Sequence, residues 1–238
     1  MTQQRNSDAF LGAFSTIERV LKKTVGETRH MTFYDLLHKT RDKNALVRKH
    51  FNELKMFGDL RNAIVHQRID HEAIAEPHDH VVAKILDIAA KLENPPSVFP
   101  RFQTRVDLFR DSESIGKVTQ HMYKHSYSQV VIVDNMGANQ LLTTNTIARW
   151  VGLNAVEELV DLSGSTVKDV LAATEFTDNF RFIPKTQNCY ETVELFQQAQ
   201  QSGKPLDALL ITERGRRSDS ILGIITPYQI PDLIKTIS

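Results

Sequence analysis

The chain has 238 residues, room for one large or two small domains with an ample core. Its 29 basic and 29 acidic residues cancel, which excludes a global field drawing the whole protein to nucleic acid or to an anionic membrane, so any RNA contact has to be local. The single cysteine, Cys189, excludes an internal disulfide and fits a reducing compartment, and its neighbours Asn188 and Tyr190 supply no base that would make it a nucleophile. Residues 1–8 are polar, and no later apolar run approaches the roughly 18 residues of a membrane span; a cytoplasmic protein without a membrane partner is expected.

In chain order, Ser7 or Asp8 is placed to cap a first helix. Its apolar residues Phe10, Phe14, Ile17 and Leu21 recur at helical spacing, and Gly26 ends it. Thr32 with Asp35 has the form of a capping box and opens a second helix through Leu36 and Leu37. A third pattern starts near Asn44 and carries Leu46, Val47, Phe51, Leu54 and Phe57, with Gly58 expected to divide or kink it. A further helix is expected from about Asp79 to Leu92. The N-terminal region therefore reads as an all-helical bundle, closed by Asn94-Pro95-Pro96 and a stiff proline-rich connection. Seven of the nine histidines lie before Pro95, so that half becomes more basic at mildly acidic pH.

Within this bundle the stretch Asp59-Leu60-Arg61-Asn62-Ala63-Ile64-Val65-His66 sets three polar residues suited to a phosphodiester in an apolar helical pattern. Asn62 and His66 share a helix face, whereas Arg61 is turned about 140° away from His66, so a two-fold partner helix would converge all three better than one helix does. A guanidinium holds phosphate as a bidentate fork, and an imidazole titrating near neutrality moves a proton to or from a ribose 2′-hydroxyl or a leaving oxygen. If Gly58 breaks the helix, free backbone N–H groups at the break would add to anion binding. The bland alternative is that these are ordinary surface and helix-end residues.

The run Arg61-Asn62-x-x-x-His66 resembles the Arg-x4–6-His motif, in its Arg-Asn form, of the HEPN superfamily, over roughly residues 8–94. That resemblance implies a small helical bundle, commonly dimeric, and a metal-independent endoribonuclease with Arg61, Asn62 and His66 as catalytic residues and RNA as partner. A competing reading takes Asp70, His71, His78 and His80, with His66, as ligands of a first-row metal, although their spacing matches no closed zinc pattern.

After Pro100 the chain repeats one supersecondary unit. A helix over residues 114–125, a strand Gln129–Val133, a turn through Gly137, a strand Asn139–Thr143 and a helix from Asn145 form the first copy. A helix over 191–200, strands Ala208–Thr212 and Ile221–Ile225 about the turn Arg214-Gly215-Arg216-Arg217-Ser218, and a helix from Tyr228 form the second. Neither copy has sheet enough to bury alone, so the copies are expected to pack sheet against sheet about a pseudo-two-fold axis, creating two equivalent clefts.

These copies resemble a tandem pair of CBS domains, clearest at Leu222-Gly223-Ile224-Ile225-Thr226-Pro227-Tyr228-Gln229-Ile230, at Thr166-Val167-Lys168-Asp169-Val170 and at Gln140-Leu141-Leu142-Thr143-Thr144-Asn145-Thr146-Ile147. The resemblance implies an α+β chain: an N-terminal all-α helical bundle (1–95) followed by a pseudo-two-fold tandem CBS pair, two β-α-β-β-α units spanning 96–160 and 161–238. It further implies an adenosine-containing regulatory ligand (AMP, ADP, ATP or S-adenosylmethionine, with no metal required), contacted through Thr143 and Thr146 in one copy and Thr226 and Gln229 in the other. Thr146 and Gln229 stand where the family usually has an Asp that accepts the ribose hydroxyls, and neither brings its charge. Arg214, Arg216 and Arg217 would meet polyphosphate if their turn faced a cleft, and otherwise belong to a solvated hairpin. Trp150 and Tyr228 are candidates to stack on a base, or core and interface aromatics.

The combined expectation is a homodimeric adenine-nucleotide sensor regulating a metal-independent endoribonuclease. The alternative is a non-catalytic regulatory or dimerisation module that binds adenine nucleotide or has lost ligand binding.

Overall fold

The computed structural model describes residues 5–26, 31–66, 68–69, 72–73, 76–134, 137–155 and 159–237. The chain divides into two compact units, 1–96 and 97–238.

The first unit contains α1 (Asn6–Val25), α2 (Phe33–Arg41), α3 (Ala45–Lys49), α4 (Phe51–His66), a short antiparallel hairpin of β1 (Arg68–Ile69) and β2 (Glu72–Ala73), and α5 (Asp79–Glu93). The hairpin corrects the expectation of an all-helical bundle: it sits in a polar stretch whose period gave no strand signal. Helix α1 begins at Asn6, ahead of both predicted caps, with the Asn6 amide donating to the Pro77 carbonyl and to Asp79, and Ser7 buried. Gly26 ends it at φ +84°, a conformation that costs a residue with a Cβ about 1–2 kcal/mol. The predicted apolar stripes meet in one core, where Phe10, Ile17, Leu21, Leu36, Leu37, Leu54, Ile64, Ile85 and Ile88 are fully buried. Phe10 meets Phe57 edge-on at 5.8 Å.

The break in the third pattern falls at His50, between α3 and α4, and not at Gly58, through which α4 runs without interruption. Asn44 caps α3 with its side-chain oxygen, and the His50 ring pairs with Glu53 in the first turn of α4. Gly58 serves close packing instead. A Cβ there would sit 3.0 Å from the Phe33 ring and 3.1 Å from the Tyr34 hydroxyl, so its absence lets α4 lie against the start of α2.

The second unit holds two copies of one β-α-β-β-α pattern. The first copy is β3 (Leu108–Arg110), α6 (Ile115–His125), β4 (Gln129–Asp134), β5 (Gly137–Thr143) and α7 (Thr144–Asn154). After α8 (Val167–Leu171), the second is β6 (Phe180–Pro184), α9 (Cys189–Gln201), β7 (Ala208–Thr212), β8 (Ile221–Ile225), a 3-10 turn Pro227–Gln229 and α10 (Ile230–Ile237). Each copy forms a three-stranded sheet, β3-β4-β5 or β6-β7-β8, with its first pair parallel and its second antiparallel. The sheets face each other as expected. Val131 and Leu141 of one and Ala208 and Leu210 of the other are buried in a shared cluster that Phe180, Phe182, Ile221 and Ile224 extend. Helix α8, although it follows the first copy, packs its Val167, Val170 and Leu171 into the core of that copy with Ile115, Val118 and Trp150. Cys189 is fully buried at the start of α9, and burial pushes its thiol pKa up, as befits a bystander.

Each unit contains a Thr-x-x-Asp capping box: Asp35 accepts from the Thr32 hydroxyl and amide, and Asp169 from those of Thr166. These bonds hold both carboxyls below the ordinary aspartate range. A carboxyl depressed in the folded state stabilises fully above its unfolded pKa, and that stabilisation drains as pH falls through the folded value. Acidification from the ordinary aspartate pKa of about 4 downward is therefore expected to shift the urea midpoint less in Asp35→Asn/Asp169→Asn than in the parent, with the two curves running parallel above about pH 5.

Candidate ligand clefts and a pocket on the helical unit

The two copies build two clefts by exchange. The first cleft, about 400 Å³, is lined by Thr143 and Thr146 of the first copy together with Asn179 and Asp207 of the second. The second, about 390 Å³, is lined by Thr226 and Gln229 of the second copy together with Arg105 and Asp107 of the first. Ser128, Gln129 and Tyr228 border both.

Local sequence sets each threonine pair. Thr143 ends β5 and N-caps α7, its hydroxyl accepting from the Thr146 amide at 3.1 Å and lying 3.1 Å from the Thr146 hydroxyl, with both residues buried. Thr226 follows β8 directly and caps the 3-10 turn, and Gln229 Oε1 accepts from the Thr226 amide at 2.8 Å and from its hydroxyl at 2.5 Å. Because Gln229 Oε1 accepts both bonds, the amide presents a neutral side chain on the second cleft's lining where an aspartate would bring a negative charge. Both pairs thus occupy the same place in their copies, a strand end opening a helical turn.

Sequence reasoning missed the opposite wall of each cleft. Asp107 and Asn179 stand just before β3 and β6, and Ser128 and Asp207 just before β4 and β7. A polar residue at the start of an apolar strand was the available signal. Asp207 accepts from Asn179 Nδ2 at 2.7 Å through its carboxylate, and from Gln129 Nε2 at 3.1 Å through its carbonyl, which ties the pre-strand residues of the second copy to the first residue of β4. Asp107 pairs with His121 Nε2 at 2.9 Å.

Of the two readings of the arginine turn, the structure supports the hairpin outside the clefts. None of Arg214, Arg216 and Arg217 lines either cleft. Arg214 bonds Asp219 at 3.2 Å, and Arg217 pairs with Asp134 on the hairpin of the first copy. Trp150 lies in the core of the first copy, whereas Tyr228 is 82% exposed at the rim of both clefts.

On the first unit a pocket of about 370 Å³ is lined by Arg61 and Asn62 of α4, Thr32, Phe33 and Tyr34 at the start of α2, and Glu18 of α1. Arg61 Nη1 donates to Asn62 Oδ1 at 3.2 Å. The Tyr34 hydroxyl donates to Asp59 at 2.6 Å, and that bond, with some burial, pushes its pKa up to about 12, so the phenol remains a proton donor at neutral pH. His66 is the last residue of α4, one turn beyond Asn62, and its side chain lies outside the described residues. Since α4 is continuous through Gly58, no helix start adds free N–H groups beside Arg61. Of the candidate metal ligands, Asp70 and His71 lie outside the described residues, and among the described residues no three metal-ligating side chains converge. The His78 and His80 rings stack on each other at 5.8 Å.

No family model matches the chain, and neither does any curated protein. Solved structures of CBS-domain proteins do. A CBS domain-containing protein of unknown function from Kribbella flavida aligns at 10% identity over 57% of this chain and 95% of its own, with a TM-score of 0.43. CBSX2 in complex with AMP aligns at 11% identity over 60% of this chain and 98% of its own, with a TM-score of 0.43. The CBS domain of the bacterial CNNM/CorC family Mg2+ transporter in complex with ATP aligns at 14% identity over 60% of this chain and 87% of its own, with a TM-score of 0.41.

Proposed function

We propose that residues 97–238 are a CBS pair that binds adenosine-containing ligands in the two clefts and regulates the helical unit. The observation that carries this reading is the reciprocal construction of the clefts. Each joins the threonine-capped turn of one copy to the pre-strand residues of the other, so a ligand in either cleft bridges the two copies. Such a ligand stabilises the fold by its affinity for the folded state.

AMP, ADP, ATP and S-adenosylmethionine are the compounds to test by thermal unfolding. One of them at 100 times its dissociation constant is expected to add about 2.7 kcal/mol of stability, and Thr226→Val, which removes the hydroxyl at the second cleft while keeping the side-chain shape, is expected to reduce the shift. Unchanged unfolding with all four compounds would sink the ligand reading and leave a structural or dimerisation role.

A second reading concerns the helical unit. The pocket that gathers Arg61 and Asn62 beside the Tyr34 hydroxyl supports a HEPN-like, metal-independent endoribonuclease. In that reading Arg61 stabilises charge on the phosphorane, Asn62 orients, and His66 is the general base or acid for in-line attack of a ribose 2′-hydroxyl. Homodimerisation would bring a second α4 to complete the site, and RNA would be the substrate. Nucleotide in the clefts regulates such an enzyme only if it binds two arrangements of the protein with different affinities.

A further inference from the structure

We infer that the two clefts take different classes of adenosine compound: the Thr226/Gln229 cleft a phosphorylated one held by Arg105, the Thr143/Thr146 cleft an uncharged or cationic one. This inference rests on the adenosine-binding reading of the clefts and deepens it.

The clefts match in construction and volume but differ in charge. Arg105, exposed on the segment leading into β3, lines the second cleft and offers a planar guanidinium, the side chain best suited to hold phosphate in two parallel hydrogen bonds. Among the described residues no ion pair engages it. The carboxylate in the same cleft, Asp107, is engaged by His121 Nε2 at 2.9 Å and shares the cleft wall with the Arg105 guanidinium. Gln229 brings a neutral amide where an aspartate would have added another negative charge.

The first cleft has the opposite balance. Among the described residues no lysine, arginine or histidine lines it, while Glu175 and Asp207 do. Glu175 is paired with Arg149 at 3.1 Å, whereas Asp207 is held by the neutral amide of Asn179 and, among the described residues, by no cation. A phosphate dianion brought into this cleft meets that carboxylate with no cation on the wall to offset it, whereas a nucleoside hydroxyl or a sulfonium cation is accepted by it. The two aspartates hold different places in their copies: Asp207 precedes the central strand of its sheet and Asp107 the edge strand, and of the two Asp107 is the one bonded to a histidine.

Calorimetric titration of the full chain with AMP, adenosine and S-adenosylmethionine tests this. AMP is expected to saturate at one equivalent per chain, and the AMP-saturated protein still to bind one equivalent of adenosine or S-adenosylmethionine. Arg105→Gln is expected to weaken AMP tenfold or more while leaving adenosine unchanged. Asp207→Asn, which keeps an oxygen for the Asn179 amide, is expected to admit a second AMP. Thermal unfolding of both variants in the absence of ligand checks that they fold like the parent. Two AMP molecules bound per parent chain with equal affinity, or an AMP-to-adenosine ratio unmoved by Arg105→Gln, would overturn the inference while leaving adenosine binding standing. Silence from all three compounds would remove the adenosine reading itself, and the inference with it.

Discussion

Purified protein incubated in EDTA with an end-labelled RNA pool is expected to leave 2′,3′-cyclic phosphate ends, and His66→Ala is expected to lose that cleavage by 100-fold or more. The magnitude follows from the chemistry: a positioned general acid or base contributes about 10²–10⁴ in rate. Cyclic phosphate ends follow because the attacking group is the adjacent 2′-hydroxyl and not water. Arg61→Ala should lose activity to a similar degree by removing charge stabilisation. It is read beside its effect on stability, because Arg61 also bonds Asn62. An inactive His66→Ala that melts with the parent supports catalysis; equal cleavage by both would place the activity elsewhere. If both are silent with and without added nucleotide, the helical unit is a docking or dimerisation module.

Gly137→Ala is expected to be the most damaging small substitution in the second unit. Gly137 opens β5 at φ +109°, and a Cβ there would stand 2.2 Å from the Arg217 carbonyl oxygen on the opposing hairpin. The atom in the way is backbone, so it cannot swing aside as a side-chain tip would. Adverse φ costs about 1–2 kcal/mol and overpacking typically another 1–3 kcal/mol, giving about 3 kcal/mol together and a loss on the order of 10 °C in Tm. The junction of the two hairpins, where Arg217 also pairs with Asp134, would have to open. Gly152→Ala provides the contrast. That glycine lies exposed in α7 with nothing within 4 Å of its would-be Cβ, so the same substitution should raise stability by about 0.5–1 kcal/mol. Chemical denaturation of the pair checks both signs. A stable Gly137→Ala would show that the two hairpin tips do not meet in solution.

Much of the fold was legible because local chemistry decided it. Strands Ala208–Thr212 and Ile221–Ile225 were readable to the residue, since each is a short apolar run bounded by a turn or helix breaker. The capping boxes at Thr32 and Thr166 mark helix starts through bonds that span only three residues. Cys189 and Trp150 followed the ordinary statistics of burial.

What escaped the sequence depended on residues far apart in the chain. The first strand of each unit was expected from the CBS resemblance but not placed on residues, because β3 and β6 are mixed in polarity and exist by pairing in parallel with β4 and β7 across an intervening helix. Gly58 reads as a breaker until Phe33 and Tyr34 are seen to need the space its missing Cβ leaves. The sequence left the arginine turn open between an anion site and a hairpin tip, and only the pairing of Arg217 with Asp134 of the other hairpin decides between them.

The candidate site divides along the same line. Thr143, Thr146, Thr226 and Gln229 could be named from sequence because the CBS resemblance marks those positions, and each pair sits three residues apart at the end of a strand, a spacing that a helical turn converts directly into proximity. That each pair faces the pre-strand residues of the other copy, and that one resulting wall carries Arg105 while the other carries Asp207, was decided only when two sheets with complementary apolar faces packed together. Sequence by itself determined the order of the elements and the caps that begin them, through interactions a few residues long. Tertiary structure decided which charges share a cleft, because burial of the two sheet faces, and not any local preference, sets which distant residues meet.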